Sequence, residues 1–402
     1  MTLANGRTYL AIPGPSVMPD RVLQAMHRAA PNIYTGALVE MVEGMVPDLL
    51  AVARTEARVA MYIANGHGVW EAALANTVAP GQKVLVIATG MFAKGWAEMA
   101  RGLGIDAEVL DFGDRSTFDP AVIEEALRAD TTGAIRAVLA VQVDTATSVR
   151  SDIPALRKVM DASGHPALLM VDCIACLACD DFHMDAWGVD VMVTGCQKGL
   201  MTPPGLGFVF FNEKANEAHD RLDIVSPYWD WAVRSNPEMF YQFFFGTAPT
   251  HHLYGLREAL TMILHEEGLE AVLARHEKLA QTVWAAMEAW GKGKGRGHIA
   301  LNVTDPALRS HAVTSVRMQA PNATALRDWV TDKAGVTLGI GLGMAAPGDP
   351  AWHGFFRIGH MGHVNAHMVL GVLGTIDAGL KALQIPHGDG ALEAATAVAA
   401  RA

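Results

Sequence analysis

Between Met61 and Phe211 the chain repeats one pattern, in which short apolar runs rich in Val, Leu and Ile alternate with stretches of helical period. KVLVIA is followed by FAKGWAEMARGL, AVLAVQ by IPALRKVMDA, and ALLMVD, VDVMVTG and GFVFFN complete the series. Runs that are apolar at nearly every position suit strands covered on both faces, and the segments between them suit crossover helices. The expectation is an α/β fold with a mainly parallel sheet sandwiched by helices.

A chain of 402 residues is too long for one small core and suits a large domain plus a smaller one. We read residues 1–20 as an N-terminal arm, 21–265 as the large domain and 266–402 as a smaller α+β domain. Asp20 to Arg28 and Ala37 to Ala53 read as helices joined by a PNIYTG turn, the first with Asp20 as its N-cap. Two long amphipathic stretches, THHLYGLREALTMILHEEG and LEAVLARHEKLAQTVWAAMEAWG, are divided by Gly268, and GKGKGRG reads as a solvated loop or boundary. The net charge of −11, with no compensating Lys and Arg cluster, excludes nucleic acid and anionic membrane as partners. No signal peptide and no membrane span are readable, so a cytoplasmic protein is expected. Four cysteines crowd between Cys173 and Cys196, unlike the spread of a disulfide framework, and reduced thiols are the expectation.

The chemistry concentrates between ALLMVDCIAC and VTGCQKGLMTPPG. Ligands of open parallel sheets collect at the carboxyl ends of strands, and Asp172 and Lys198 each fall at or just after such an end. A carboxylate there keeps a pyridine nitrogen protonated, and a lysine there forms an imine with an aldehyde. Together they describe a pyridoxal-phosphate site. Taken singly, Asp172 is also readable as a helix cap and Lys198 as an exposed loop lysine.

The strand-end VD and the Cys196-Gln197-Lys198 stretch resemble the corresponding motifs of class V aminotransferases, the branch of fold-type I pyridoxal-phosphate enzymes whose lysine motif is S-Q-K. The resemblance spans nearly the whole chain and is greatest to the serine-glyoxylate and alanine-glyoxylate aminotransferases. It implies pyridoxal 5'-phosphate as cofactor, a homodimer, and Lys198 as the catalytic lysine. PGPSVMPDRVLQAM resembles the family's N-terminal entry to the active site. In IANGHGVWEAALANTVAPG a glycine-rich turn runs into a helix, a geometry that offers free N–H groups to an anion, and the resemblance implies that Asn65, Gly66 and His67 bind the cofactor phosphate. By the same resemblance Phe92 would stack on the pyridine ring and Thr145 would contact its phenolic oxygen or the substrate. Ile174 would pack on the other face, Gln197 would assist the phosphate, and Thr247 would reach the phosphate of the neighbouring subunit. In FFRIGHMG, Arg357 would take the substrate α-carboxylate, for which a guanidinium fork is suited.

Two departures stand out. Ser148 occupies the usual glycine position of VQVDTATSVRSD, and Asn32-Ile33-Tyr34-Thr35 stands where bacterial relatives have D-H-R-S. Tyr34 offers a hydroxyl and an aromatic face in place of a positive charge, which favours a neutral donor such as serine or alanine over aspartate. The implied reaction moves the amino group to glyoxylate or pyruvate in two half-reactions. Other donors of the family remain open, among them those of the aspartate-glyoxylate, ureidoglycine-glyoxylate and pyridoxamine-pyruvate enzymes. A cysteine desulfurase is disfavoured because no cysteine follows Cys196. Cys173, Cys176 and Cys179 have the spacing of a metal motif, but their place directly after Asp172 favours packing, and His360, His363 and His367 lack an accompanying carboxylate. No metal is expected. GIGLG at Gly339 to Gly343 echoes a dinucleotide loop without the helix that should follow.

Overall fold

The computed structural model describes residues 2–293, 298–346 and 348–401. Its strands are β1 (Tyr9–Ala11), β2 (Arg58–Tyr62), β3 (Lys83–Ala88), β4 (Asp106–Asp111), β5 (Ile135–Val141), β6 (Leu168–Asp172), β7 (Val191–Gly195), β8 (Gly207–Phe211), β9 (Ala300–Leu301), β10 (Val313–Arg317), β11 (Val336–Ile340) and β12 (Phe355–Gly359). A seven-stranded sheet runs β2-β8-β7-β6-β5-β3-β4, and a five-stranded one runs β1-β11-β12-β10-β9. In the large sheet β3, β4, β5, β6 and β7 are mutually parallel. β8 runs against both β7 and β2. The reason is length: the link from Gly195 to Gly207, turned by Pro203-Pro204-Gly205, is too short to hold a crossover helix.

Both faces of this sheet are buried. Leu168 and Met170 of β6 pack into one core cluster with Val69 and Trp70, while Leu169 and Val171 pack into the other with Val42 and Met45. Period-two alternation therefore turns Asp172 to the Leu168 and Met170 face, which the helix Gly66–Ala75 covers. That helix begins on Asn65, whose side chain accepts from Gly68 N at 3.2 Å. A third core cluster lies in the small sheet, where Phe356, Ile358 and Val316 meet Leu373 and Ile376 of the helix Ala366–Ala382.

Several local expectations change. The first helix spans Asp20–Met26 and starts from Pro19, which occupies the N-cap with extended backbone. Asp20 is thus the first helical residue, and its carboxylate pairs with Arg7 at 2.8 Å instead of capping. The stretch before Gly268 is an α-helix (Thr250–Leu260) that widens to a π-helix (Thr261–Glu267), with Gly268 at φ 84°. β2, β4 and the helix Pro120–Ala129 join the pattern read from sequence. GIGLG begins inside β11 and, among the described residues, leads to no α-helix before β12. Residues 294–297 of the GKGKGRG stretch lie outside the described residues. Among the described residues no helix is long and apolar enough to cross a membrane.

Phe210, fully buried at the centre of β8 between Val59 and Met192, is a sensitive test of this packing. Phe210→Ala should cost about 3–5 kcal/mol and lower the urea midpoint; an unchanged midpoint contradicts a sheet buried on both faces.

Candidate active site

A cavity of about 270 Å³ opens at the carboxyl ends of β5, β6 and β7. Asp172 ends β6, and Lys198 follows β7 by three residues. Asn65, Gly66, His67, Phe92, Thr145, Asp172, Ile174, Gln197 and Lys198 all line it. Nine residues proposed from sequence thus meet in one place, drawn from four strand ends and a helix start.

Asp172 forms the polar end of a largely apolar wall. Its Oδ2 accepts from Trp70 Nε1 at 2.8 Å and its Oδ1 from Ile174 N at 2.6 Å. Burial pushes the carboxyl up to about 7, against the two donors and the nearby Lys198, which favour the charged form. No cation within salt-bridge distance accompanies it among the described residues. Lys198 shows the opposite effect. Burial, aided by Arg357, lowers its amine to about 8, and Asp172 only partly offsets this. Its Nζ donates to Pro13 O, and its carbonyl accepts from Ser16 Oγ at 2.7 Å. The PGPS turn therefore lies across the lysine. Gly14 lies at φ 93°, where a side chain is strained, and an added Cβ would come within 2.5 Å of Lys198 Nζ and displace the amine.

The helix entry keeps open N–H groups. Asn65 Oδ1 is used by Gly68, while Gly66 N and His67 N have no partner among the described residues. Gly66 also admits Ile174, whose Cδ1 would lie 2.5 Å from an added Cβ. β6 stops at Asp172, so Ile174 belongs to the following turn, not to a continued strand; it lines the cavity while packing against the core that holds Trp70. Gln197 Oε1 is buried without a partner, a polar atom left for a ligand to satisfy.

Arg357 stands in the middle of β12, 5 % exposed, just behind the cavity wall. Its Nη1 donates to Thr145 O and its Nε to Ile340 O, both at 2.7 Å. Burial lowers the guanidinium to about 10, with Asp144 acting in its favour. Tyr34, 83 % exposed, and Thr247, also exposed, lie outside the cavity. Within a single chain neither is brought to Lys198.

The sequence reading passed over two residues. Trp70 holds Asp172, stacks on Trp96 at 5.9 Å and meets Phe92 edge-on at 6.3 Å. Asp144 is buried and accepts from the backbone N–H groups of Phe92, Ala146 and Thr147 at 2.8, 2.9 and 3.2 Å. It thereby fixes Phe92 and Thr145 together, and a Cβ on Gly90 would fall 2.3 Å from its carboxyl carbon. The available signal for Trp70 was its place one turn beyond His67 on the helix. Ser148 keeps positive φ at 62° despite its side chain. Cys173 and Cys176 donate to Gln142 Oε1, and all four thiols are buried and free. Burial lowers His360 to about 4; its ring lies between His311 O and Thr314 Oγ1 in the small sheet's support.

Residues 65–351 match the family described as Aminotransferase class-V. The chain is 37 % identical over 390 residues to the serine--glyoxylate aminotransferase of Methylorubrum extorquens, covering 94 % of this chain and 93 % of that one. It is 34 % identical over 383 residues to the L-aspartate--glyoxylate aminotransferase of Paracoccus denitrificans, covering 93 % and 91 %. The fold matches the crystal structure of pyridoxamine-pyruvate aminotransferase from Mesorhizobium loti with a TM-score of 0.87, at 23 % identity over the full length of both chains.

The raised carboxyl of Asp172 makes the cofactor-free chain pH-sensitive. In the unfolded chain an aspartate titrates near 3.9, so between about pH 4 and 7 the folded state binds a proton that the unfolded state lacks. Stability should fall as pH rises through that window and level off above it. Asp172→Asn, which cannot ionise, should therefore be more stable than the native cofactor-free chain at pH 8 by a few kcal/mol and close to it at pH 4, at about 1.4 kcal/mol per pKa unit. Equal urea midpoints at pH 8 contradict the buried, unpaired carboxyl.

Proposed function

Since the chain belongs to the class-V aminotransferases and is a transaminase, we propose that it moves the amino group of a small neutral amino acid, serine or alanine, to glyoxylate or pyruvate with pyridoxal 5'-phosphate as its cofactor. The observation that carries this reading is the pairing of two oppositely perturbed groups on one cavity. Asp172 is a carboxyl that burial has raised to about 7 and left without a cation, and Lys198 is an amine that burial has lowered to about 8.

The residues fit the cofactor. A protonated ring nitrogen would give Asp172 the positive partner it lacks. The open N–H groups of Gly66 and His67, at a helix N-terminus beside Asn65, suit a phosphate, to which Gln197 would donate through its NH2 and not through its unpartnered oxygen. Phe92 and Ile174 would cover the two faces of the ring, and the Thr145 hydroxyl would meet its phenolic oxygen or the substrate. When bound, pyridoxal 5'-phosphate supplies an aldehyde and an electron-withdrawing ring that makes the Cα proton of an amino acid removable.

The chain's own residues do the rest. Arg357, permanently charged and held by two carbonyls, orients the substrate carboxylate. Lys198 Nζ, partly neutral near neutral pH, takes the proton from the donor's Cα and returns one to the acceptor's Cα in the second half-reaction. Phe92, Trp70 and Ile174 exclude water from that proton path. Tyr34 and Thr247 act only across a homodimer, where Thr247 would reach the second subunit's phosphate site; a dimer and a cytoplasmic location belong to the same reading. The absence of a positive charge at Tyr34 supports a neutral donor. The anion cradle at Gly66 and His67 favours a phosphorylated cofactor over the use of free pyridoxamine.

Lys198→Ala should still bind cofactor, lose the absorption near the visible edge, and turn over slower by roughly 10³-fold or more; full activity in that variant sinks the mechanism. In steady-state assays with glyoxylate, serine or alanine should exceed aspartate in kcat/KM. A preference for aspartate by orders of magnitude overturns the choice of donor.

A further inference from the structure

Ser148 occupies a conformation that costs a side chain strain, yet its side chain is fully engaged. At φ 62° a residue with a Cβ sits where glycine is at ease. Its Oγ donates to Thr147 O at 2.6 Å and accepts from Ser315 N at 3.1 Å, and Ser148 is 4 % exposed. The first bond stays within the loop that carries Thr145. The second crosses from the large sheet to β10 of the small one.

The need for that second bond follows from the length of β9. This edge strand has two residues, paired to Val316 and Arg317. Just past it, Asn302 N donates to Ser315 O at 2.9 Å, but Asn302 O accepts from Arg115 Nε and leaves Ser315 N unserved. Ser148 Oγ takes the place of the missing carbonyl. Since the N–H and C=O of Ser315 both face away from β12, its pairing with Arg357 in the ladder is of the non-hydrogen-bonded kind, in which the facing side chains stand closest. Ser315 is thus the cross-strand neighbour of the arginine that donates to Thr145 O.

The Thr145 loop is therefore joined to the strand pair that carries Arg357 through the guanidinium and through Ser148 Oγ. Asn302 adds its amide, donating to Thr147 O at 2.9 Å, and the run into β10 adds backbone bonds, Ser310 N donating to Ser148 O at 3.3 Å and Arg150 N to Leu308 O at 2.8 Å; of these only the Ser148 hydroxyl reaches β10 directly beside Arg357. We infer that Ser148 is a positioning residue of the carboxylate site, its hydroxyl bolting the large-sheet loop to β10 and so setting how Arg357 stands relative to Lys198. This rests on the reading of Arg357 as the carboxylate anchor. Without the hydroxyl the loop keeps its place in the large sheet, while β10 and the guanidinium behind it gain freedom.

Because a carboxylate is held alike in the ground and transition states, loosening Arg357 should raise KM more than it lowers kcat. In the holoenzyme assayed with L-serine or L-alanine and glyoxylate, Ser148→Ala and Ser148→Gly should each raise KM for both substrates by about tenfold, the equivalent of one hydrogen bond, with kcat within about twofold. Glycine is at ease at this φ, so Ser148→Gly separates loss of the hydroxyl from backbone strain and keeps a variant that folds. Arg357→Lys should raise KM further, and in that background Ser148→Ala should have little additional effect. An unchanged KM in both Ser148 variants, or a full tenfold effect persisting beside Arg357→Lys, overturns the positioning role while leaving the anchor intact. An unchanged KM in Arg357→Lys removes the anchor and the inference with it.

Discussion

A carboxyl group withdrawn from water at the end of a central strand is the constraint on which the site depends. Asp172 is 3 % exposed, accepts two N–H donors and, among the described residues, has no cation within salt-bridge distance. Burial of this kind is tolerated when something of opposite charge completes it. The neighbours make sense in that light. Trp70 gives its indole N–H to the carboxylate and its ring to the cavity wall, and Trp96 stacks behind it to keep it there. Lys198 stands near enough to interact with Asp172, yet burial leaves its amine partly neutral. The same desolvation that raises an acid lowers a base, so one dry cavity prepares both groups in the directions a transaminase uses.

Behind the cavity wall the two sheets are joined by backbone carbonyls and N–H groups held by a few side chains. Asp144 gathers the N–H groups of Phe92, Ala146 and Thr147, which fixes Phe92 to the Thr145 loop. Arg357 donates to that loop from the small sheet, and the Pro13 carbonyl accepts from Lys198 on the other side. The N-terminal stretch contributes β1 to the small sheet and then passes the lysine, so that Gly14 and Pro15 line the cavity while Pro13 and Ser16 bond to Lys198.

Much of this was legible in the chain itself. Strand runs without alternation announced a sheet buried on both faces, and the strand ends led to Asp172 and Lys198. The turn at Asn65-Gly66-His67 was readable only through the family resemblance, because an Asn-Gly pair before a helix is most often a plain turn. Other features had no local signature. The reversal of β8 depends on the brevity of a connection, not on the composition of the strand. Trp70 looks like any core tryptophan of an amphipathic helix, and only the fold brings Asp172, 102 residues distant, to its indole N–H. Asp20 was read as a cap because aspartate often is one, but Pro19 already holds the extended conformation and Arg7 draws the carboxylate away. Tyr34 and Thr247, assigned to the site by resemblance, stand exposed and outside the cavity of the single chain, a placement no local sequence feature announces. Ser148 read as a disturbance, and in the fold it keeps the expected backbone and adds a bond between the two sheets.

The central claim is that one cavity carries both halves of an amino-group exchange, and a single-turnover experiment reaches it most directly. Purified holoenzyme mixed with excess L-serine or L-alanine, with no 2-oxo acid present, should lose its visible absorption and release one equivalent of the matching 2-oxo acid per subunit. Later addition of glyoxylate should restore the spectrum with one equivalent of glycine. No spectral change, or continuous formation of oxo acid without any acceptor, would contradict a two-stage exchange at Lys198.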